Sequence, residues 1–113
     1  MGLNGSELDH MIEFAIGELA AGDPERIRGV VRHIAQRWPE QKALMICFAL
    51  TSAAAQIEDV FTDGRTARGP QVAYKMAALV AGDVLAAEAM GVSPVKGRDL
   101  MHYWRRSDPY FLS

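Results

Sequence analysis

Between positions 23 and 39 the apolar residues are Ile27, Val30, Val31, Ile34, Ala35 and Trp38. Steps of three and four put them on one face of a helix. Asp23 supplies a cap, and Pro24 fits the first helical position, where no N–H is needed. Pro39 closes the element, because the residue before a proline avoids helical geometry. Upstream, Leu8, Ile12, Ala15, Ile16 and Leu19 form a second stripe. It predicts a helix capped by Ser6, with Glu7 and Asp9 in its first turn and Gly22 as its stop.

Further along, the pattern changes. Residues 40–61 predict a third helix whose middle, "ALMICFAL", is apolar on all sides. Such a helix is expected at the centre, wrapped by its neighbours. A fourth helix is expected over 70–90, ending at Gly91 and rich in alanine. Small side chains let another backbone come close, within the bundle or across a dimer axis; the steric point is familiar from membrane helices. Ser93-Pro94 opens a fifth helix to about Arg106, with Leu100, Met101 and Trp104 facing inward. No run alternates with period two, so no strand is expected. The reading is all-α: an antiparallel helical bundle of about five helices around a central hydrophobic helix (about 40–61), a single domain over 1–113.

Composition narrows the functional classes. Half of the residues are hydrophobic and the formal net charge is −2, so bulk basicity gives no argument for nucleic acid or anionic lipid. The charge is uneven: residues 1–25 hold six acids and no Lys or Arg, and residues 26–37 hold four arginines. Two complementary helix faces are expected from that. The single cysteine, Cys47, has no partner for an intramolecular disulfide and reads as a small core residue, which fits a reducing compartment. No segment approaches the roughly 20 apolar residues of a membrane span, and acids fill the first stretch where a secretory signal would lie. "MGLNGS" fits a lipidation pattern. Abundant alanine, and nine arginines against three lysines, point instead to a GC-rich bacterial genome, where that modification is not expected. The expectation is a cytoplasmic protein.

Candidate chemistry is sparse. In "DGRTARGPQ", residues 63–71, Arg65 and Arg68 stand between two glycines just before a helix, a place that attracts anions. The glycine spacing is that of a phosphate loop, but Pro70-Gln71 replaces the Lys-Ser/Thr pair, and no strand precedes it. Glu7 with His10, and Asp99 with His102, have helical metal-ligand spacing. A carboxylate-bridged centre needs further acids turned inward, so no metal or other cofactor is expected. His33 lacks the following glycine of a phosphotransfer histidine, and Cys47 lies in an apolar run that makes a thiol inert. No catalytic residue is assigned.

Arg26, Arg28, Arg32, His33 and Arg37, or Lys96, Arg98, Arg105 and Arg106 around Tyr103 and Trp104, are the nucleic-acid candidates. Overall acidity weakens that reading. The C-terminus is more informative: Tyr110, Phe111 and Leu112 are adjacent and apolar, costly to leave in water. With Trp104 they are expected to pack in cis or to dock on a second chain. The leading expectation is a small non-enzymatic helical interaction or regulatory module that self-associates through the fourth helix or the tail, with a protein partner open. The alternatives are an anion- or small-ligand-binding or catalytic bundle using the Arg65/Arg68 loop, and a DNA- or RNA-associated protein.

Overall fold

The computed structural model describes residues 3–60 and 68–112, with side chains for 7–59 and 69–112. Five helices follow one another: α1 (Leu3–Ala20), α2 (Pro24–Arg37), α3 (Ala43–Val60), α4 (Arg68–Ala89) and α5 (Gly97–Arg106). A short 3-10 turn, Pro109–Leu112, follows. The fold is an all-α bundle with no strand among the described residues.

The boundaries follow local chemistry. Asp23 caps α2 by accepting a hydrogen bond from the Glu25 N–H at 3.0 Å, with Pro24 at the first turn. The Trp38 N–H donates to the Ile34 carbonyl at 2.9 Å and ends the helix before Pro39. Gly22 (φ 76°) and Gly91 (φ 96°) take the left-handed turns after α1 and α4, which cost a residue with a Cβ more. Ser6 is not a cap. It lies inside α1, which begins at Leu3 because neither a proline nor a left-handed residue interrupts positions 3–5.

α3 and α5 both start later than their sequences suggest, for one shared reason. The segments ahead of them pair with each other. Lys42 and Lys96 form an isolated antiparallel bridge, the Ala43 N–H donates to Val95 O at 2.8 Å, and the Gly97 N–H donates to Gln41 O at 3.0 Å. Arg98 N–H reaches Pro39 O at 2.8 Å. Amides that would have opened the helices are used across the chain. Gly97 is needed at this junction, because a Cβ there would stand 2.8 Å from the Trp38 carbonyl oxygen. Asp99 then accepts from the Lys96 N–H at 2.9 Å and starts α5.

α3 lies between α1 and α4, its two main neighbours, while α2, α5 and the 3-10 turn pack together over one side of that trio. The shortest dimension, 19 Å, accommodates two layers of helices, each about 10 Å thick. The core runs between the layers, through Met11, Ile34, Ile46, Leu50, Val80, Leu100 and Trp104. In this two-layer arrangement α3 is central, flanked by α1 and α4 and covered by the second layer, and one outward arc of it is left bare. Its inner arc (Ala43, Ile46, Leu50, Ala53, Ile57) is buried, whereas Leu44 is 58% and Phe48 55% exposed. The expected wrapping of "ALMICFAL" on every side is therefore corrected. Among the described residues, a second layer exists on one face of the trio and not on the other.

The acidic first helix and basic second helix meet at fewer points than their charges suggest. Glu18 accepts from Arg26 at 2.8 Å and lies 3.4 Å from His33 Nδ1. Glu7 accepts from the Trp38 indole at 2.8 Å. Arg28 pairs instead with Glu25 on its own helix, at 3.7 Å.

Candidate functional site

Two surfaces stand out, on different sides of α4. The first is the bare side of the α3–α4 pair. On α3 the outward positions Leu44, Phe48, Thr51 and Ala55 recur at helical spacing. On α4 the outward positions are Ala78, Gly82, Leu85 and Ala89, and Leu85 is 67% exposed. The helices run antiparallel and close together. The Tyr74 hydroxyl donates to Glu58 at 2.8 Å at one end, and the Ala43 N–H meets Val95 just past the other end of α4. This places the two outward rows side by side. From 43 to 57 α3 carries no charged residue, and from 76 to 87 α4 carries only Asp83.

Asp83 is turned away from that surface. Its carboxylate accepts from the Trp104 indole N–H at 2.9 Å. Burial pushes its carboxyl above the ordinary 3.8, the indole hydrogen bond pulls it back, and the charge of Asp108 adds to the rise. This acid, in the middle of an alanine-rich helix, thus fixes Trp104, a link that neither helical spacing nor composition reveals. Between α3 and α4, the Cys47 thiol donates to the Ala77 carbonyl at 3.5 Å. Desolvation raises that thiol from 9.0 to about 11, against a smaller lowering by its backbone hydrogen bond, so it is a poor nucleophile at neutral pH.

The second surface is a groove of about 490 Å³ between α2, α4 and the 3-10 turn. Ile27, Val72, Met76 and Phe111 give it an apolar lining. Arg28, Lys75 and Tyr110 also line it, and Tyr110 is 61% exposed. Among the described residues that line it, these two cations are the only charged ones.

The residues singled out from sequence divide between core and surface. Trp104 is fully buried and Phe111 nearly so, their rings 5.1 Å apart, and Leu112 is partly buried. The tail therefore packs in cis, held also by Arg32, whose guanidinium donates to the Leu112 carbonyl at 3.5 Å. Of the four apolar candidates only Tyr110 is exposed, and it helps line the groove. Arg65 lies outside the described residues, and Arg68 is described only as the backbone that begins α4. Gly69 lies against the chain itself: a Cβ there would stand 2.6 Å from the Leu19 carbonyl oxygen, so this glycine seats α4 on the end of α1. Among the described residues no three His, Cys, Asp or Glu side chains gather as metal ligands, and no helix is long and apolar enough to cross a membrane. Of the groove residues, Ile27 reads in sequence only as part of the α2 stripe and Val72 and Met76 carry no signal, because a cleft depends on what the neighbouring element leaves uncovered.

Compared with known proteins, the chain matches no family model, no curated protein and no solved structure.

Proposed function

We propose that the protein is a non-enzymatic helical interaction module that pairs with a second copy of itself through the bare side of α3 and α4. The observation that carries this reading is the uncharged surface centred on Leu44, Phe48 and Leu85. Contiguous apolar patches beyond a few hundred Å² are uncommon on monomers and mark interaction sites. Two adjacent helices over about a dozen residues each span roughly 20 Å by 20 Å, at the level of that threshold. With charged residues at its ends, such a patch has the make-up of an interface core inside a polar rim.

A second copy is the favoured occupant because the surface offers no charge by which to select a different partner. Gly82, Ala78 and Ala81 keep α4 low, which permits close approach of a second helix pair. In this arrangement α3 becomes buried on both sides, as the apolar run in its sequence demands. With Phe111 packed in cis against Trp104, the bare side of α3 and α4 is favoured over the tail as the pairing surface.

Sedimentation velocity at micromolar concentration tests the reading. The full chain is expected to run as two copies, and a Phe48→Ser/Leu85→Ser variant as one, with its helix content unchanged. A full-length chain that stays single at about 100 µM, above the range of weak but specific pairing, overturns the proposal.

A further inference from the structure

A second inference rests on the groove and is independent of the pairing surface. We propose that the groove between α2, α4 and the C-terminal turn binds a medium-chain fatty acid, its alkyl chain on the apolar lining and its carboxylate at Arg28 and Lys75.

The groove's size comes first. A volume of about 490 Å³ lies within the range of small-molecule sites and is short for a peptide helix, which needs several turns of contact. Its lining comes next. Ile27, Val72, Met76 and Phe111 offer carbon and sulfur, with no row of backbone donors, so an extended peptide or a polyphosphate would lose more hydrogen bonds than it gained. An alkyl chain loses none.

Charge sets the head group. The chain as a whole is acidic, yet the described residues that line the groove include two cations and no acid. Lys75 has no acid partner among the described residues. Arg28 has one, Glu25, but at 3.7 Å with both side chains largely in water, a contact worth little that a ligand carboxylate can replace. A single carboxylate matches this arrangement, and Arg28 can hold it in the bidentate mode.

The third wall is built by the chain itself. Phe111 lies 5.1 Å from Trp104 and at 5.0 Å from the Tyr110 ring, and Trp104 is in turn fixed by Asp83. Tyr110 and Phe111, which in sequence call for cover in cis or on a second chain, thus complete a cleft.

The test is a titration of the full chain with decanoate, followed by backbone amide NMR, with octanoate, dodecanoate and the neutral decanol as comparators. Saturable shifts are expected at residues 24–28, 72–79 and 110–111. Affinity should rise with chain length, by up to about fourfold per buried methylene. Decanol should bind about tenfold more weakly, as expected for loss of a charge-assisted contact. An Arg28→Gln/Lys75→Gln variant should lose the preference for decanoate over decanol while still binding decanol. Both side chains are exposed, so its thermal melt should match that of the unaltered chain.

Four results overturn the proposal. The first is no saturable shift with decanoate. The second is an unchanged decanoate preference in the double variant. The third is shifts centred on Leu44, Phe48 and Leu85 instead of the groove. Binding of an acidic helical peptide in the groove without decanoate binding would assign it to a protein partner and would also overturn it.

Discussion

The first half of α3 and the whole of α5 reverse the fates their compositions suggest. α5 reads "GRDLMHYWRR", with four charged residues in ten, yet Leu100 and Trp104 are fully buried. α3 opens with "ALMICFAL", yet Leu44 and Phe48 are mostly in water. Their neighbours make the difference. α5 presents one narrow apolar edge to α2, α4 and the 3-10 turn, and Asp83 satisfies the Trp104 indole. α3 presents apolar residues all round, and the fold leaves one arc of it bare. An amphipathic helix indicates how it will lie; a uniformly apolar one does not, because any rotation about its axis buries a similar amount.

The strongest way to break this comparison is to truncate both sides of it. Trp104→Ala should cost about 3–5 kcal/mol in chemical denaturation, through a large cavity and an unpaired Asp83. Phe48→Ala, measured at a concentration where the chain is single, should stay within about 0.5 kcal/mol. Equal losses would show that the bare side of α3 is covered after all.

Glycines sharpen the same contrast at smaller amplitude. Gly97→Ala forces a Cβ to 2.8 Å from the Trp38 oxygen and should lower stability by about 1–3 kcal/mol. Gly82, on the bare side of α4, has nothing within 4 Å of an added Cβ. There, alanine should stabilise the single chain by about 0.5–1 kcal/mol through backbone entropy. If pairing brings a second helix over Gly82, the same change should weaken the pair, so the two readouts move in opposite directions.

Asp83 separates hydrogen bonding from charge. Asp83→Ala leaves the Trp104 indole without an acceptor and should cost about 1–3 kcal/mol. Asp83→Asn keeps an acceptor and removes a desolvated charge, so it should be near neutral at pH 7. Because the folded-state pKa lies above 3.8, the aspartate's own contribution is complete below that value and declines as pH rises through the folded pKa. The asparagine variant should lack that component of the acid-range stability profile.

The smallest expected effect concerns Cys47. With its thiol at about 11 instead of 9.0, alkylation of the folded chain at pH 8 should be slower than that of the unfolded chain by up to about a hundredfold. The neutral thiol favours the folded state below pH 9.0, and that preference fades as pH climbs towards 11. A rate equal to that of a free thiol would place Cys47 in open water.

Sequence alone fixed α2 almost to the residue, because Asp23, Pro24, the apolar stripe and Pro39 each act through bonds within a few positions. It also fixed the helical class, the five helices and the stops at Gly22 and Gly91, for the same local reason. It placed the starts of α3 and α5 too early, since the amides of Gly97 and Arg98 bond to carbonyls more than fifty positions away. It marked Tyr110, Phe111 and Leu112 as residues in need of cover, because apolar area must be buried somewhere. Only the tertiary structure decided that Phe111 is covered by the chain's own Trp104 while Tyr110 stays exposed, that Asp83 holds that indole, and that Leu44 and Phe48 are left bare. Burial is a property of neighbouring surfaces, and a linear pattern states which residues require it without stating which neighbour supplies it.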